Sequence, residues 1–323
     1  MYDQVLITGG AGFIGLNFLL YCLKKYPTSH YVCLDSLTYA ANVEEIEKLV
    51  AERKITFVKG SICDLSLLTE LFRQYHFDCV INFAAETHVD RSIADSYAFY
   101  QTNVMGVWNL LEVCKEYGIK RYHQISTDEV YGDLPLEDDR CLKENARLNP
   151  SNPYSASKAA ADLMILSYFK TYQIPITISR SSNNYGPYQH MEKFIPTVIC
   201  RALNDLYVPI YGNGKNMRDW IYVTDHCKAI DLIIHKGIPG EIYNISTEQQ
   251  SDNIFIAKKI LLDLNKPITL IKYVDDRPGH DLKYSVSNEK IKNTLGWTVD
   301  IDLEDGLKRT IQYYKNCIRS QKE

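Results

Sequence analysis

The 323-residue sequence predicts an α/β protein, a doubly wound parallel sheet followed by a smaller α/β lobe. Three observations carry that prediction. Short apolar runs alternate with amphipathic stretches as far as Arg180, and a glycine-rich turn separates the first apolar run from the first helix. Beyond Arg180 the rhythm breaks into shorter pieces rich in glycine, proline and asparagine.

Residues 4–8, 31–34, 55–58, 79–83, 122–126 and 176–179 read as buried strands. Residues 13–26, 65–75, 96–117 and 155–172 read as the helices between them. This order requires right-handed crossovers between parallel strands. A cofactor domain is expected over residues 1–180 and a substrate lobe over 181–323. Residues 241–245 read as one more strand for the main sheet, so about 220–246 is expected to rejoin the first domain. The polar tail from Lys315 is expected to fray.

Composition narrows the class. With 46% hydrophobic and 24% charged residues the chain is globular rather than disordered. A net charge of −4 gives no global attraction for nucleic acid or anionic membrane, so an anionic ligand must be met by local cations. Nine scattered cysteines without a Cys-x-x-Cys pair indicate reduced thiols rather than disulfides, and no metal is expected. No apolar run reaches membrane-spanning length, and no leader precedes the first strand. A soluble cytoplasmic protein is therefore expected.

The first strand runs into Thr8-Gly9-Gly10-Ala11-Gly12-Phe13-Ile14-Gly15, with glycines at 9, 12 and 15. Glycine suits a sharp turn, a close approach to a pyrophosphate and tight helix–strand packing. The next helix would aim free N–H groups at the phosphates. Asp35 ends the second strand, placed to grip ribose hydroxyls and to repel a 2′-phosphate. Ser36-Leu37-Thr38 adds no arginine, so NAD is expected rather than NADP.

Tyr154 and Lys158 stand four apart and share a helix face. A tyrosine base needs its pKa of about 10 brought down toward neutrality, which a nearby ammonium and a cationic nicotinamide can supply. Combined with the glycine turn, this pair resembles the extended short-chain dehydrogenase/reductase superfamily. The resemblance spans nearly the whole chain.

Strand five ends in Ser126-Thr127-Asp128-Glu129, at the sheet edge where such folds bind ligands. A hydroxyl suffices to orient a sugar alcohol for oxidation. Two further carboxyls suit dehydration: once C4 of a hexose is a ketone, C5 can lose a proton to a base and C6 can lose its hydroxyl with help from an acid.

Four further stretches, 84–92, 153–158, 182–188 and 276–281, resemble the nucleotide-sugar 4,6-dehydratases, most closely those acting on dTDP-glucose. The resemblance implies Tyr154 as the C4 base, Asp128 as the acid at C6, Glu129 as the base at C5, and Lys158 as the partner of Tyr154. It implies cofactor contacts from Phe13, Ile14, Ser36, Leu37, Thr38, Ser61, Ile62, Phe83, Ala84, Ala85, Glu86, Thr102 and Asn184. Substrate contacts are implied for Thr87, His88, Thr127, Asn183, Glu192, Lys193, Pro209, Ile210, Tyr211, Arg218, Asn253, Arg277 and His280. It implies a 4-keto-6-deoxy product feeding a 6-deoxyhexose such as rhamnose, and a homodimer through helices 96–117 and 155–172.

Two departures stand out. Ser61 replaces a usual acid, leaving adenine to the backbone and Asp64, and His190-Met191 replaces a usual Phe-Pro, which leaves thymine and uracil both open as the base. A 4-epimerase or decarboxylase on the same scaffold is the nearest rival, and a non-catalytic NAD-binding regulator is the rival of another class.

Overall fold

The computed structural model describes residues 2–320. Strands β1 (Gln4–Thr8), β2 (His30–Asp35), β3 (Thr56–Lys59), β4 (Cys79–Asn82), β5 (Arg121–Thr127) and β6 (Ile176–Ser181) build the main sheet. Between them run α1 (Phe13–Lys25), α2 (Val43–Ala51), α3 (Leu65–Tyr75), α4 (Val89–Ala94), α5 (Tyr97–Tyr100), α6 (Val107–Tyr117) and α7 (Pro153–Tyr172). The chain continues through β7 (Asn183–Tyr185), α8 (Phe194–Leu203), β8 (Val208–Tyr211), β9 (Met217–Tyr222), α9 (Val223–Lys236) and β10 (Ile242–Ile245). It ends in β11 (Gln250–Asp252), α10 (Asn253–Asp263), β12 (Ile271–Val274), α11 (Glu289–Leu295) and α12 (Leu303–Ser320).

The main sheet has seven parallel strands in the order β10-β6-β5-β4-β1-β2-β3. This is the doubly wound class the sequence predicts. The order reverses at β1, which has β2 on one side and β4 on the other, so a crevice opens there beyond the strand ends. One face is sealed by Leu6, Phe72, Leu110 and Ile165, the other by Ile7, Leu16, Phe18 and Ile230. A third apolar cluster, including Ile195, Ile199, Trp220, Ile256 and Leu307, holds the smaller layer of β7, β8, β9 and β11 under α8, α10 and α12.

Three local expectations change. Helix α2 was not foreseen: its buried side is only Ile46 and Leu49, while Glu44 and Glu45 favour its first turn through the helix dipole. The expected helix 96–117 is interrupted by a π-helical turn at Gln101–Gly106. The interruption turns Asn103 inward, where its side chain bonds Ser157 of α7 and both the N–H and the carbonyl of Glu86. The C-terminal segment does not fray at Lys315, because α12 continues to Ser320 with Leu307, Ile311 and Tyr314 in the core. Nothing beyond Ser320 lies within the described residues.

Helix α7 starts cleanly. Asn152 accepts from the Ser155 N–H, Ser155 Oγ accepts from the Asn152 N–H, and Pro153 fits the first turn where no donor is needed. One full turn past Lys158, Asp162 points into the protein and meets Arg180 of β6 at 2.8 Å, both being buried. Arg180 also donates to the Tyr131 hydroxyl at 2.9 Å, and Asp162 accepts from Ser126 Oγ at 3.0 Å. Removing one partner of a buried pair strands the other charge. Arg180→Met is therefore expected to destabilise the fold by about 3 kcal/mol or more. Adding Asp162→Leu should recover much of that loss, as chemical denaturation will measure.

Candidate active site

A cleft of about 330 Å³ runs along the ends of β1, β4 and β5 and under the smaller layer, a size suited to a bound small molecule. At one end the turn after β1 is shaped for a dinucleotide. Gly9 has φ +69°, and a side chain there would strike the Ala84 backbone at 2.4 Å. A Cβ on Gly15 would lie 2.3 Å from the Gly9 carbonyl. Gly12 caps α1 without any side-chain bond, and no acid stands in the first turn, so the free N–H groups face the cleft without competition. Asp35 accepts from the Ala11 N–H at 2.9 Å and the Leu37 N–H at 2.8 Å. It thereby fixes the turn as well as lining the cleft.

Of the predicted cofactor residues, Gly9, Gly12, Phe13, Ile14, Gly15, Asp35, Ser36, Thr38, Ser61, Ile62, Phe83, Ala84, Ala85, Glu86, Thr102, Tyr154, Lys158 and Asn184 all line this cleft. Leu37 does not: its backbone turns with φ +54° and its side chain packs into the core instead. Asp64 does not reach it either, because its carboxylate caps α3 by accepting from the Leu67 N–H. Residues that carry no motif also line it, among them Ala40, Ala41, Gly60, Gln189 and His190. His190 lies edge-on to Tyr39, beside the loop after β2. A loop that folds back over a cleft leaves no periodic signal in sequence.

The cleft floor holds Thr127, Asp128, Glu129, Tyr154 and Lys158 together. Thr127 ends β5, donates to Asp128 Oδ1 at 3.3 Å and accepts from the Glu129 N–H at 3.3 Å. Asp128 is 3% exposed, and its Oδ2 has no partner among the described residues. Burial, then the charges of Glu129 and Asp219, push the Asp128 carboxyl well above the usual range. Burial raises Glu129 as well, but Arg218, Arg277 and Lys193 oppose that rise.

The protein groups alone do not lower Tyr154. Burial and the Glu129 charge push its pKa up rather than down, with Thr127 opposing. Lys158 is brought to about 8 by burial and donates to the Ile125 carbonyl at 2.6 Å.

The predicted substrate residues divide. Thr87, Thr127, Asn183, Glu192 and Lys193 line the cleft, and Asn183 Oδ1 is buried there without a protein partner among the described residues. Lys193 Nζ donates to the Thr87 carbonyl at 3.0 Å. Glu192 accepts from the Tyr39 hydroxyl at 2.7 Å and lies 3.5 Å from Arg91 and 3.6 Å from His88. Arg218 is buried near both acids, with its guanidinium donating to the Asp281 carbonyl and stacked on Tyr284. Arg277 bonds Asp90 at 3.1 Å, and His280 bonds Asp276 at 2.6 Å beside Tyr211. His88, Pro209, Tyr211, Arg218, Asn253, Arg277 and His280 stand outside the cleft lining. The Ile210 side chain belongs to the apolar core of the smaller layer, at 1% exposure, and does not face the cleft.

A family model described as GDP-mannose 4,6 dehydratase matches residues 6–310. The dTDP-glucose 4,6-dehydratase of Escherichia coli is 39% identical, over 97% of this chain and 94% of that one. Among solved structures, dTDP-glucose 4,6-dehydratase from Bacillus anthracis in complex with NAD superimposes with a TM-score of 0.90 at 43% identity, covering 97% of this chain and 96% of that one. The Streptomyces venezuelae dTDP-glucose 4,6-dehydratase, with NAD bound, gives 0.92 at 40% identity and 97% of each chain. With its full length matched in sequence and in backbone, the chain belongs to the GDP-mannose 4,6 dehydratase family, among the nucleotide-sugar 4,6-dehydratases that its motifs resemble.

Proposed function

We propose that the chain is an NAD-dependent dTDP-glucose 4,6-dehydratase, forming dTDP-4-keto-6-deoxyglucose and water for deoxysugar biosynthesis. The observation that carries this reading is the adjacent pair of a buried Asp128 and a half-buried Glu129 beside Thr127 and Tyr154, with cations opposing the rise of Glu129. Oxidation at C4 alone would need only the hydroxyl and the tyrosine. Elimination across C5 and C6 needs an acid and a base together.

NAD, which the glycine turn, Asp35 and Lys158 would hold, would supply a hydride acceptor for C4, a donor for C6, and a positive charge that lowers Tyr154. Thr127 orients the C4 hydroxyl and Tyr154 takes its proton. Glu129 then takes the C5 proton, its carboxylate favoured by Arg218, Arg277 and Lys193. Asp128, kept protonated by burial, delivers its proton to the C6 oxygen, which leaves as water. Glu129 returns its proton to C5 as hydride would come back to C6, and loss of the Tyr154 proton with reprotonation of Asp128 resets the site.

Tyr97, Met105, Leu163 and Tyr172, on the segments from α5 to α7, are exposed large apolar groups. They support a homodimer through that face, which sedimentation should report as twice the chain mass. Among the described residues no helix is long and apolar enough to cross a membrane. The free cysteines fit the reducing cytoplasm proposed as its location.

Incubation with dTDP-glucose and UDP-glucose side by side tests the reaction. The expected result is a 4-keto-6-deoxy product, with kcat/KM for dTDP-glucose about tenfold or more above that for UDP-glucose. A galactose nucleotide without any keto-deoxy product would make the chain an epimerase instead. In Asp128→Asn, elimination should slow by about a hundredfold or more while C4 oxidation, followed as NADH absorbance in a single turnover, falls far less. Equal loss of both steps would reduce Asp128 to a positioning group.

A further inference from the structure

We infer that Asp90 is a positioning residue that holds Arg277 in place for the diphosphate before the nucleotide arrives. The inference rests on the nucleotide-sugar reading above. Arg277 belongs to the loop after β12, and Tyr211 ends β8. Neither strand belongs to the main sheet. Both nevertheless converge on one carboxylate in the first turn of α4: Arg277 Nη1 lies 3.1 Å from Asp90 Oδ1, and the Asp90 charge adds to burial in raising the nearby Tyr211 phenol.

The rest of the loop is tied down in the same place. Asp276 accepts from the Arg277 N–H and bonds His280, whose ring stands edge-on to Tyr211. Arg277 uses one nitrogen for Asp90, while its Nε is buried with no partner among the described residues. Unspent donors on a fixed guanidinium suit a phosphate oxygen, for which planar, oriented recognition is the arginine's particular use. An arginine held in advance loses less rotamer freedom when the ligand binds. The Asp90 side chain is 37% exposed, so water and salt weaken its repulsion of the diphosphate more than they weaken the direct contact to Arg277.

The test is binding of dTDP to the full-length protein by calorimetry, with steady-state kinetics on dTDP-glucose, for Asp90→Asn and Asp90→Glu. In Asp90→Asn, dTDP is expected to bind about tenfold more weakly and KM to rise about as much, with kcat changed less than about threefold. Asp90→Glu should restore most of the affinity, which a general packing defect would not allow. Thermal melting identifies any variant that fails to fold; Asp90→Glu then carries the comparison. Unchanged or tighter dTDP binding in Asp90→Asn would overturn the inference, because Asp90 would then be idle or a competitor for Arg277. Binding of dTDP needs no turnover. A wild-type protein that binds dTDP in an Asp90-dependent way yet dehydrates no hexose nucleotide would remove the proposed reaction and leave this inference standing.

Discussion

The buried pair of Arg180 and Asp162 is the constraint on which the catalytic geometry depends. Asp162 lies on the same face of α7 as Tyr154 and Lys158, and Arg180 lies in β6. Arg180 also holds Tyr131, whose hydroxyl donates to Asn244 of β10. Tyr131 closes the short 3-10 turn that begins at Asp128. One guanidinium thus joins the helix that carries the tyrosine and lysine to the turn that carries the two acids. Its Coulomb gain is offset by desolvation. What the pair contributes is a fixed distance between two elements that no backbone bond connects.

A second consequence of burial is chemical. The same exclusion of water that seals the sheet raises Asp128, Glu129 and Tyr154 and lowers Lys158. Each is left nearer to neutrality than it would be in water. Only Glu129 has three cations of the smaller layer acting against that trend, and it is the group proposed to work as a carboxylate. The acid and the base differ by which charges reach them, not by residue type.

The cleft is bridged by polar contacts between α4 and the smaller layer. His88 and Arg91 face Glu192, Asp90 faces Arg277, and Lys193 reaches back to Thr87. These are exposed or half-exposed pairs, individually weak and sensitive to salt. A contact of that kind can exchange for a ligand at small cost, whereas the apolar clusters beneath cannot rearrange.

The sequence by itself determined the sheet, the glycine turn and the residues proposed to react. Those features are local: a short apolar run for each buried strand, a glycine wherever a Cβ would collide, a spacing of four from Tyr154 to Lys158, three consecutive residues from Thr127. Helix α2 was legible in principle, since Val43, Ile46, Leu49 and Val50 recur at helical spacing with acids between them, but it was not read as a helix. The π-helical turn was invisible, since its cause is the tertiary contact of Asn103 with Glu86 and Ser157. Ile210 and Leu37 were misplaced because a motif locates a stretch of chain, while packing decides which way each side chain turns. Only the tertiary structure could give Tyr154 its raised proton affinity, set Asp128 apart from Glu129, or bring Asp90 to Arg277 across 187 positions of sequence. Proton affinity depends on desolvation and on charges brought together from distant segments, and neither exists until the chain has folded.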